Sequence, residues 1–293
     1  MKITVLMPAY NEERDLPGLL ERTRAALEGW ADYQVLIVDD GSKDRTAEIV
    51  REAANCMPVT LIQHPQNRGL GAAMRTGLKA ASEYGGVIVT MDADNSQGPE
   101  LIRDMVARIS TGADVVIASR FQPGSQEVGV PAHRRFLSHL SSAGIRLLIR
   151  YPGARDYTCG FRVYRAEVLR RLINRYGDNF IRENGFSCML ELLLNLRRIN
   201  AKVAEVPLVL RYDLKEGASK MRILRTMWRY VVTVTRGWLP LANVNPVPRT
   251  AAPRAASRSR MPTPAPARAE GLPRKDGASP TTLSKQSGEP HGV

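Results

Sequence analysis

The sequence predicts an α/β fold with a mostly parallel β-sheet between helices, followed by a disordered C-terminal tail. Short runs of β-branched residues alternate with segments of helical periodicity over the first 120 residues. These runs are continuously apolar, which is typical of parallel strands that helices cover on both faces. After Trp238 the chain contains no aromatic residue, and residues 241–293 hold nine of its 19 prolines. We therefore expect one domain over residues 1–240 and a tail over 241–293.

The runs of β-branched residues predict the strands, and the segments of helical periodicity predict the helices. The strands expected in the first half are Ile3–Met7, Val35–Val38, Val59–Gln63, Val87–Met91 and Val115–Ser119. The helices expected between them are Glu12–Trp30, Asp44–Ala54, Gly71–Tyr84 and Pro99–Ile109. The less regular second half predicts helices at Arg134–Arg150 and Phe186–Ile199, a strand or turn running into a helix at Phe161–Asn174, a strand at Val203–Leu210 and a basic helix at Ser219–Trp238.

The composition excludes several classes of protein. With 293 residues, of which 43% are hydrophobic, the chain can bury a sizeable core. Three widely spaced cysteines exclude a disulfide scaffold, and the lack of a CxxC pair argues against structural zinc. No apolar run has the length of a signal peptide or a membrane-spanning helix. We expect a cytoplasmic protein, with contact at the inner face of the membrane left open.

The positive charge predicts an anionic partner. The net charge is +13, and residues 1–240 contain 34 Lys and Arg against 26 Asp and Glu. Residues 241–293 carry eight Lys and Arg against three Asp and Glu, with too little apolar surface to offset the entropy of ordering. Nucleotide phosphates, a lipid phosphate, an acidic membrane surface and nucleic acid would all suit such a domain, and charge does not choose among them.

Polar residues or glycines follow each predicted strand of the first half. Ligands of parallel sheets bind beyond the carboxyl ends of the strands, so these residues are candidates for a site. Asp92 and Asp94 follow the fourth strand, and two carboxylates so close together repel each other unless a cation lies nearby. A hard divalent cation, Mg²⁺ or Mn²⁺, prefers such oxygen ligands. The alternative is a solvated acidic turn.

The residues that follow two further predicted strands have either a binding role or a local structural role, and the sequence does not decide between the two. Asp40 could accept a ring N–H of a nucleobase, or it could form an Asx turn or helix cap. Gly69 and Gly71 open a helix and suit either a tight turn or close contact with substrate. Met74 stands where a GxGxxG motif requires its third glycine, so a dinucleotide-binding fold is poorly supported.

Several motifs together resemble the inverting family 2 glycosyltransferases, most closely the dolichol-phosphate mannose synthase or polyprenyl-phosphate glycosyltransferase branch. They are PAYNE, VDDGSKDRT, NRGLGAAMRTG, MDADNSQGPEL, ASRF, DYTCGFRVYR and GASKM, and they span roughly residues 1–222. The resemblance implies a single GT-A domain and transfer of a hexose of the mannose or glucose type. The donor would be a nucleotide-diphosphate sugar, the acceptor a polyprenyl phosphate, and the cofactor Mg²⁺ or Mn²⁺.

The resemblance also implies a set of site residues. Those around the base and ribose would be Pro8, Tyr10, Glu12, Val38 and Asp40. The metal and diphosphate would be held by Asp92, Ala93 and Asp94, with Ser96 where close relatives often place a glutamine. Arg120 would lie on the phosphates, and Arg211 and Lys220 would close over donor and acceptor from a C-terminal loop. Asp156 belongs to the acceptor-side motif, where it would act in the active site or cap its own turn.

The nature of the acceptor stays open at this point. A saccharide or small molecule, in envelope polysaccharide or natural-product glycosylation, would use the same donor chemistry. The basic helix carries Arg222, Arg225, Arg229 and Arg236 near one face, so it could lie at an anionic membrane surface or pack on the domain with that face solvated. No nucleic-acid partner is expected, because the tail lacks aromatic residues on which bases would stack. A catalytically inert binding module is a further alternative.

Overall fold

A seven-stranded sheet forms the centre of the fold. The computed structural model describes residues 1–217 and 223–238. The sheet order is β3-β2-β1-β4-β7-β5-β8, and a separate two-stranded sheet pairs β6 with β9. The strands are β1 (Lys2–Ala9), β2 (Asp32–Asp39), β3 (Val59–Gln63), β4 (Val87–Thr90), β5 (Val115–Ser119), β6 (Gln126–Val128), β7 (Arg162–Arg165), β8 (Val203–Pro207) and β9 (Val209–Arg211).

Helices connect the strands, and within the described residues they confirm the helical segments expected from the sequence. Residues 219–222 of the expected basic helix lie outside the described residues. They are α1 (Leu16–Leu27), α2 (Thr46–Ala53), α3 (Leu70–Tyr84), α4 (Ile102–Ser110), α5 (Ala132–Leu148), α6 (Ala166–Tyr176), α7 (Cys188–Arg198) and α8 (Ile223–Trp238). Helix α1 begins four residues later than expected because the chain before it belongs to a turn. There the backbone N–H of Glu12 donates to Oγ1 of Thr46 at 2.8 Å.

The core lies on both faces of the sheet. Val5, Leu6 and Met7 follow one another in β1 and are all fully buried. Because successive side chains of a strand point to opposite faces, helices must cover both sides of the sheet. This agrees with the continuous apolar runs in the sequence.

One central strand departs from the parallel arrangement. β7 lies antiparallel between β4 and β5, whereas β1, β2, β3 and β4 pair in parallel, as do β5 and β8. Its first residue, Arg162, therefore pairs with Thr90 at the carboxyl end of β4. The segment before β7, which includes Asp156, is brought to the same edge of the sheet as the residues that follow β1, β2, β4 and β5.

The strand expected at Val203–Leu210 is divided in two. β8 pairs with β5 as far as Pro207, and β9 then pairs in parallel with β6. Between them, the N–H of Leu208 donates to the Ser119 carbonyl, and the Leu208 carbonyl accepts from the N–H of Gln126. Proline cannot donate a ladder hydrogen bond, which suits the last position of a strand.

No helix within the two described ranges combines the length and apolarity that a bilayer crossing requires. The tail expected at 241–293 lies outside the described residues. Its disorder and the domain boundary at residue 240 stay predictions.

Candidate active site

A cavity of about 670 Å³ opens at the carboxyl edge of the sheet. Nine of the residues expected at the site line it. They are Pro8, Tyr10, Glu12, Asp40, Asp92, Ala93, Asp94, Ser96 and Arg120. The convergence of strand ends expected from the sequence is therefore present in the fold.

The acidic pair lies on a tight turn directly after β4. The side-chain amide of Gln97 donates to Oδ2 of Asp92 at 2.7 Å, and the N–H of Asp92 donates back to Oε1 of Gln97 at 3.0 Å. The hydroxyl of Ser96 donates to Oδ1 of Asp94 at 2.6 Å. Asn95 has a φ of +56°, a left-handed conformation that asparagine tolerates better than most residues. Gln97 was not singled out from the sequence, although it directly follows Ser96.

The electrostatics of the pair favour a bound cation. Burial, and then the neighbouring Asp94 carboxylate, raise the pKa of Asp92 to about 7. A divalent cation with oxygen ligands would offset both effects. Among the described residues, no group of three or more His, Cys, Asp and Glu side chains is placed to hold a metal. Asp92, Asp94 and the Ser96 hydroxyl would therefore hold a cation only together with substrate phosphates and water, a coordination that Mg²⁺ commonly adopts.

A lysine that the sequence did not single out reaches the acidic pair. Nζ of Lys215 lies 2.5 Å from Oδ2 of Asp94, and the Lys215 side chain is only 8% exposed. Burial by itself would lower the pKa of Lys215, but the Asp94 carboxylate raises it above its ordinary value. The next two residues are anchored, because the N–H groups of Glu216 and Gly217 donate to the Asp15 carboxylate at 2.8 and 2.9 Å.

Arg211, in contrast, does not place its side chain in the cavity. Its guanidinium pairs with Asp213 at 2.7 Å, and only its backbone N–H contacts the site, donating to the Ser96 carbonyl at 2.8 Å. Arg211 was expected to close over donor and acceptor, and in this structure its side chain lies outside the cavity, whereas Lys215 of the same segment lines it. The other expected cation, Lys220, lies outside the described residues.

Arg120 is held in the cavity wall by a buried carboxylate. Its Nε and Nη2 donate to the two oxygens of Asp156, both at 2.8 Å. Its Nη1 donates to the Ser138 hydroxyl at 2.8 Å, and Nη2 donates to Thr158 at 2.7 Å. A guanidinium bound on so many sides presents its charge in one defined position.

Asp156 was expected either to act in the active site or to cap its own turn, and its geometry favours the second role. Asp156 is fully buried behind Arg120 and does not line the cavity. Burial would raise its pKa, but the Arg120 charge and several hydrogen bonds outweigh burial and lower the pKa to about 2. Its oxygens also accept backbone N–H bonds from Thr158 and Cys159. The alternative of a turn cap fits, and Asp156 positions Arg120.

Comparison with known proteins assigns the family. The model of glycosyl transferase family 2 matches residues 4–173. The chain belongs to glycosyltransferase family 2.

Curated relatives of this glycosyltransferase carry names of lipid-phosphate enzymes. It is 32% identical to a dolichol-phosphate mannosyltransferase of Pyrococcus furiosus, over 80% of this chain and 63% of that one. It is 32% identical to an undecaprenyl-phosphate mannosyltransferase of Micrococcus luteus, over 75% and 88%. A polyprenol monophosphomannose synthase of Mycolicibacterium smegmatis is 33% identical over 74% and 80%. The chain thus spans less than two thirds of the Pyrococcus protein and most of the other two.

Solved structures confirm the GT-A fold of this glycosyltransferase. Glucosyl-3-phosphoglycerate synthase from Mycobacterium tuberculosis superposes with a TM-score of 0.61 at 19% identity, covering 82% of this chain and 81% of that one. The same protein is known in complex with Mn²⁺, uridine diphosphate and phosphoglyceric acid. At this identity the likeness concerns the fold.

In this glycosyltransferase, Asp40 is already engaged by its own chain. Its carboxylate accepts the backbone N–H groups of Arg68 and Gly69, and it lies 2.6 Å from Nδ1 of His64. Asp40 thus holds the loop that leads into α3 while it lines the cavity, a long-range role that is neither an Asx turn nor a cap of the helix that follows it. Val38, expected beside the base, is fully buried in β2 and does not line the cavity.

The two glycines at the start of α3 allow close packing against another loop. Gly69 has a φ of +91°, and a Cβ there would lie 2.4 Å from the Asn184 carbonyl oxygen. A Cβ on Gly71 would lie 1.8 Å from the Glu183 carbonyl oxygen. The tight-turn role is therefore required, and Gly69 also lines the cavity.

Helices α5 and α8 border the mouth of the cavity. Arg134 and Ser138 of α5 line it, as do Met227 and Tyr230 of α8. The same helices carry large apolar side chains that are exposed. These are Phe136 (67%), Leu140 (54%), Leu147 (78%), Trp228 (67%) and Val231 (54%).

The arginine face expected on α8 is only partly solvated. Arg229 and Arg236 pair with the buried Glu183, while Trp228 and Val231 are exposed instead. The sequence predicted the amphipathic character of this helix but not which side faces the domain. Burial of Glu183 decides the orientation, because a buried carboxylate needs a charged partner.

Proposed function

We propose that this glycosyltransferase moves a hexose from a nucleotide-diphosphate sugar to a polyprenyl phosphate, with Mg²⁺ or Mn²⁺ at Asp92 and Asp94. One observation carries the proposal. A single cavity joins this acidic pair to the cations Arg120, Arg134 and Lys215, and it opens between two helices with exposed apolar side chains. An acceptor with an anionic head and an apolar chain fits that arrangement.

On the donor side, the acidic pair and the cations supply complementary parts of the chemistry. When bound, a divalent cation neutralises the charge that develops on the leaving nucleoside diphosphate. Arg120 is fixed by Asp156, so it can stabilise the same charge without reorganising during the reaction. Lys215 is paired with Asp94 and lines the same cavity, so its ammonium group is a further cation for the diphosphate. Pro8, Tyr10 and Glu12 line the part of the cavity next to β1, where the base and ribose are proposed to bind.

On the acceptor side, Asp156 is not placed to act as a general base for a hydroxyl acceptor. A sugar hydroxyl must lose a proton as it attacks, which requires a base within hydrogen-bonding reach. Asp156 cannot serve, because it is buried and ion-paired and its pKa is about 2. A lipid phosphate is already anionic at neutral pH, so correct positioning on the face opposite the leaving group is sufficient.

The exposed apolar side chains at the cavity mouth are proposed to touch the membrane surface. Arg135, Arg146, Arg150 and Arg225 are exposed on the same two helices or next to them. Apolar side chains flanked by arginines suit the interface of an anionic bilayer. Such contact would bring the cavity to the depth at which the phosphate of a polyprenyl lipid lies.

The acceptor is tested by product partition. With radiolabelled GDP-mannose or UDP-glucose, Mn²⁺ and undecaprenyl phosphate in detergent, we expect label to enter the organic phase. Undecaprenol without its phosphate is the matched control and should accept no label, because the anionic nucleophile is missing. Label that appears only on saccharides or small soluble acceptors would replace the lipid acceptor with that alternative. Turnover of no donor with any acceptor would indicate an inert binding module.

A further inference from the structure

Glu183 is a buried carboxylate outside the cavity, in the loop before α7. It is 3% exposed. Nε and Nη2 of Arg229 donate to it at 2.9 and 2.6 Å, and Nη1 of Arg236 donates at 3.3 Å. The Ser187 hydroxyl donates to it at 2.8 Å. Both arginines belong to α8, so the carboxylate joins this helix to the loop.

The backbone of the same loop supports the glycine turn at the start of α3. The Asn184 carbonyl accepts the N–H of Gly71 at 2.9 Å, and the Glu183 carbonyl occupies the space that a side chain on Gly71 would need. The loop is also held from α3, where Arg75 donates to the Asn184 side chain at 2.7 Å. In addition, Oε2 of Glu191 accepts the N–H of Glu183 at 2.8 Å. The loop is thus held by hydrogen bonds to α3 and α7 that do not involve α8.

The two elements that Glu183 joins, the glycine turn at the start of α3 and helix α8, both form walls of the cavity. Gly69 and Asn184 line it on the side of the glycine turn. Thr226, Met227 and Tyr230 line it from α8, on the side where the apolar mouth opens. The link between these two walls passes through one carboxylate and two guanidinium groups whose side chains are 42% and 62% exposed.

We propose that Glu183 is a positioning residue that fixes α8, the acceptor-side wall, against the glycine turn on the donor side. The proposal deepens the proposed function and rests on it. Val234 and Tyr230 of α8 pack against the core, so loss of the Glu183 charge leaves the helix docked but removes the charged contact that fixes its position relative to the glycine turn. The glycine turn keeps Arg75, Glu191 and Asp40 as partners and is unaffected. Glu183 therefore governs acceptor binding and leaves donor binding intact.

The test is Glu183→Gln, which keeps the shape of the side chain and removes its charge. We expect the KM for undecaprenyl phosphate to rise on the order of tenfold. The kcat and the dissociation constant of the nucleoside diphosphate should stay within about twofold of their values in the unaltered protein. The reason is that the glycine turn on the donor side keeps Arg75, Glu191 and Asp40 as partners. Amide hydrogens of α8 should exchange on the order of tenfold faster, while those of α7 keep their rates. Glu167→Gln, the same change at an exposed position of α6, is the matched control and should alter none of these quantities.

The outcomes separate this proposal from the proposed function. An unchanged acceptor KM and unchanged exchange in α8 would overturn the positioning role. An equal loss in acceptor and donor binding would overturn it too, since that result indicates general disruption. Should Glu183→Gln fail to fold, the double change of Arg229 and Arg236 to glutamine removes the link from the α8 side. It must likewise raise the acceptor KM and leave donor binding unchanged. Absence of lipid transfer by the unaltered protein would remove the proposed function, and exchange in α8 would still report whether Glu183 holds the helix.

Discussion

Asp94→Asn is expected to lower the rate of hexose transfer by about a hundred- to a thousandfold, the range seen when a group that stabilises the transition state is removed. Asp94 contributes one of the two carboxylates that face the cavity after β4. An asparagine keeps the size of the side chain but loses the charge that would hold a cation beside the leaving diphosphate. The initial rate at saturating donor and Mn²⁺ measures the effect.

The change has two opposing effects on stability. Lys215, whose side chain is 8% exposed, loses its carboxylate partner, whereas Asp92 loses the neighbouring Asp94 charge that contributes to its raised pKa. Asp104→Asn is the matched control, because it makes the same chemical change at an exposed position in the first turn of α4. The control should keep full activity. An Asp94→Asn protein that retained half of the normal rate would show that this carboxylate is not part of the reaction.

Arg120→Gln is expected to destabilise the protein by about 3–5 kcal/mol and to abolish transfer, because it leaves the Asp156 charge buried without its partner. The double change Arg120→Gln with Asp156→Asn should recover most of the stability, since no uncompensated charge remains. It should not recover activity, since the cavity still lacks the guanidinium. Urea unfolding at pH 7 measures the stability, and the transfer assay measures the activity.

The loss of stability at acid pH provides a second test of the ion pair between Arg120 and Asp156. The folded pKa of Asp156, about 2, lies below its ordinary value of 3.8, so its contribution to the free energy of unfolding is present above pH 4. That contribution is lost as the pH falls from about 4 to about 2, and the double variant should lack this step. Arg24→Gln, which removes an exposed pair with Glu21, is the control and should change stability little. A single Arg120 variant as stable as the control would contradict the account.

The sequence was informative where function depends on strand order along the chain. Asp92, Asp94 and Arg120 were identified because residues after consecutive strands of a parallel sheet meet at one edge, and that rule needs only the positions of the strands. Strand direction is not contained in periodicity, so the antiparallel β7 was not foreseen. Its orientation is what brings Asp156 behind Arg120. Asp156 was correctly placed near the site, but its burial depends on contacts distant in sequence.

Lys215 and Arg211 show the other limit of sequence reasoning. Both are basic residues of one short segment, and the choice between them depends on how that segment leaves β9. The pairing of β9 with β6 and the anchoring of Gly217 by Asp15 decide it, and neither is visible in local composition. Likewise, the amphipathic pattern of α8 was visible, but Glu183, which orients the helix, lies about 40 residues earlier in the chain.

Binding of Mn²⁺, followed by electron paramagnetic resonance with and without GDP or UDP, tests the central claim most directly. That claim is that Asp92 and Asp94 hold a divalent cation together with the donor diphosphate. We expect Mn²⁺ to bind at least about tenfold more tightly once the matching nucleoside diphosphate is present, because phosphate oxygens complete its coordination. The double variant with asparagine at both positions should lose this site. Equal Mn²⁺ binding by the unaltered protein and the double variant, or no gain in affinity with any nucleoside diphosphate, would contradict the account.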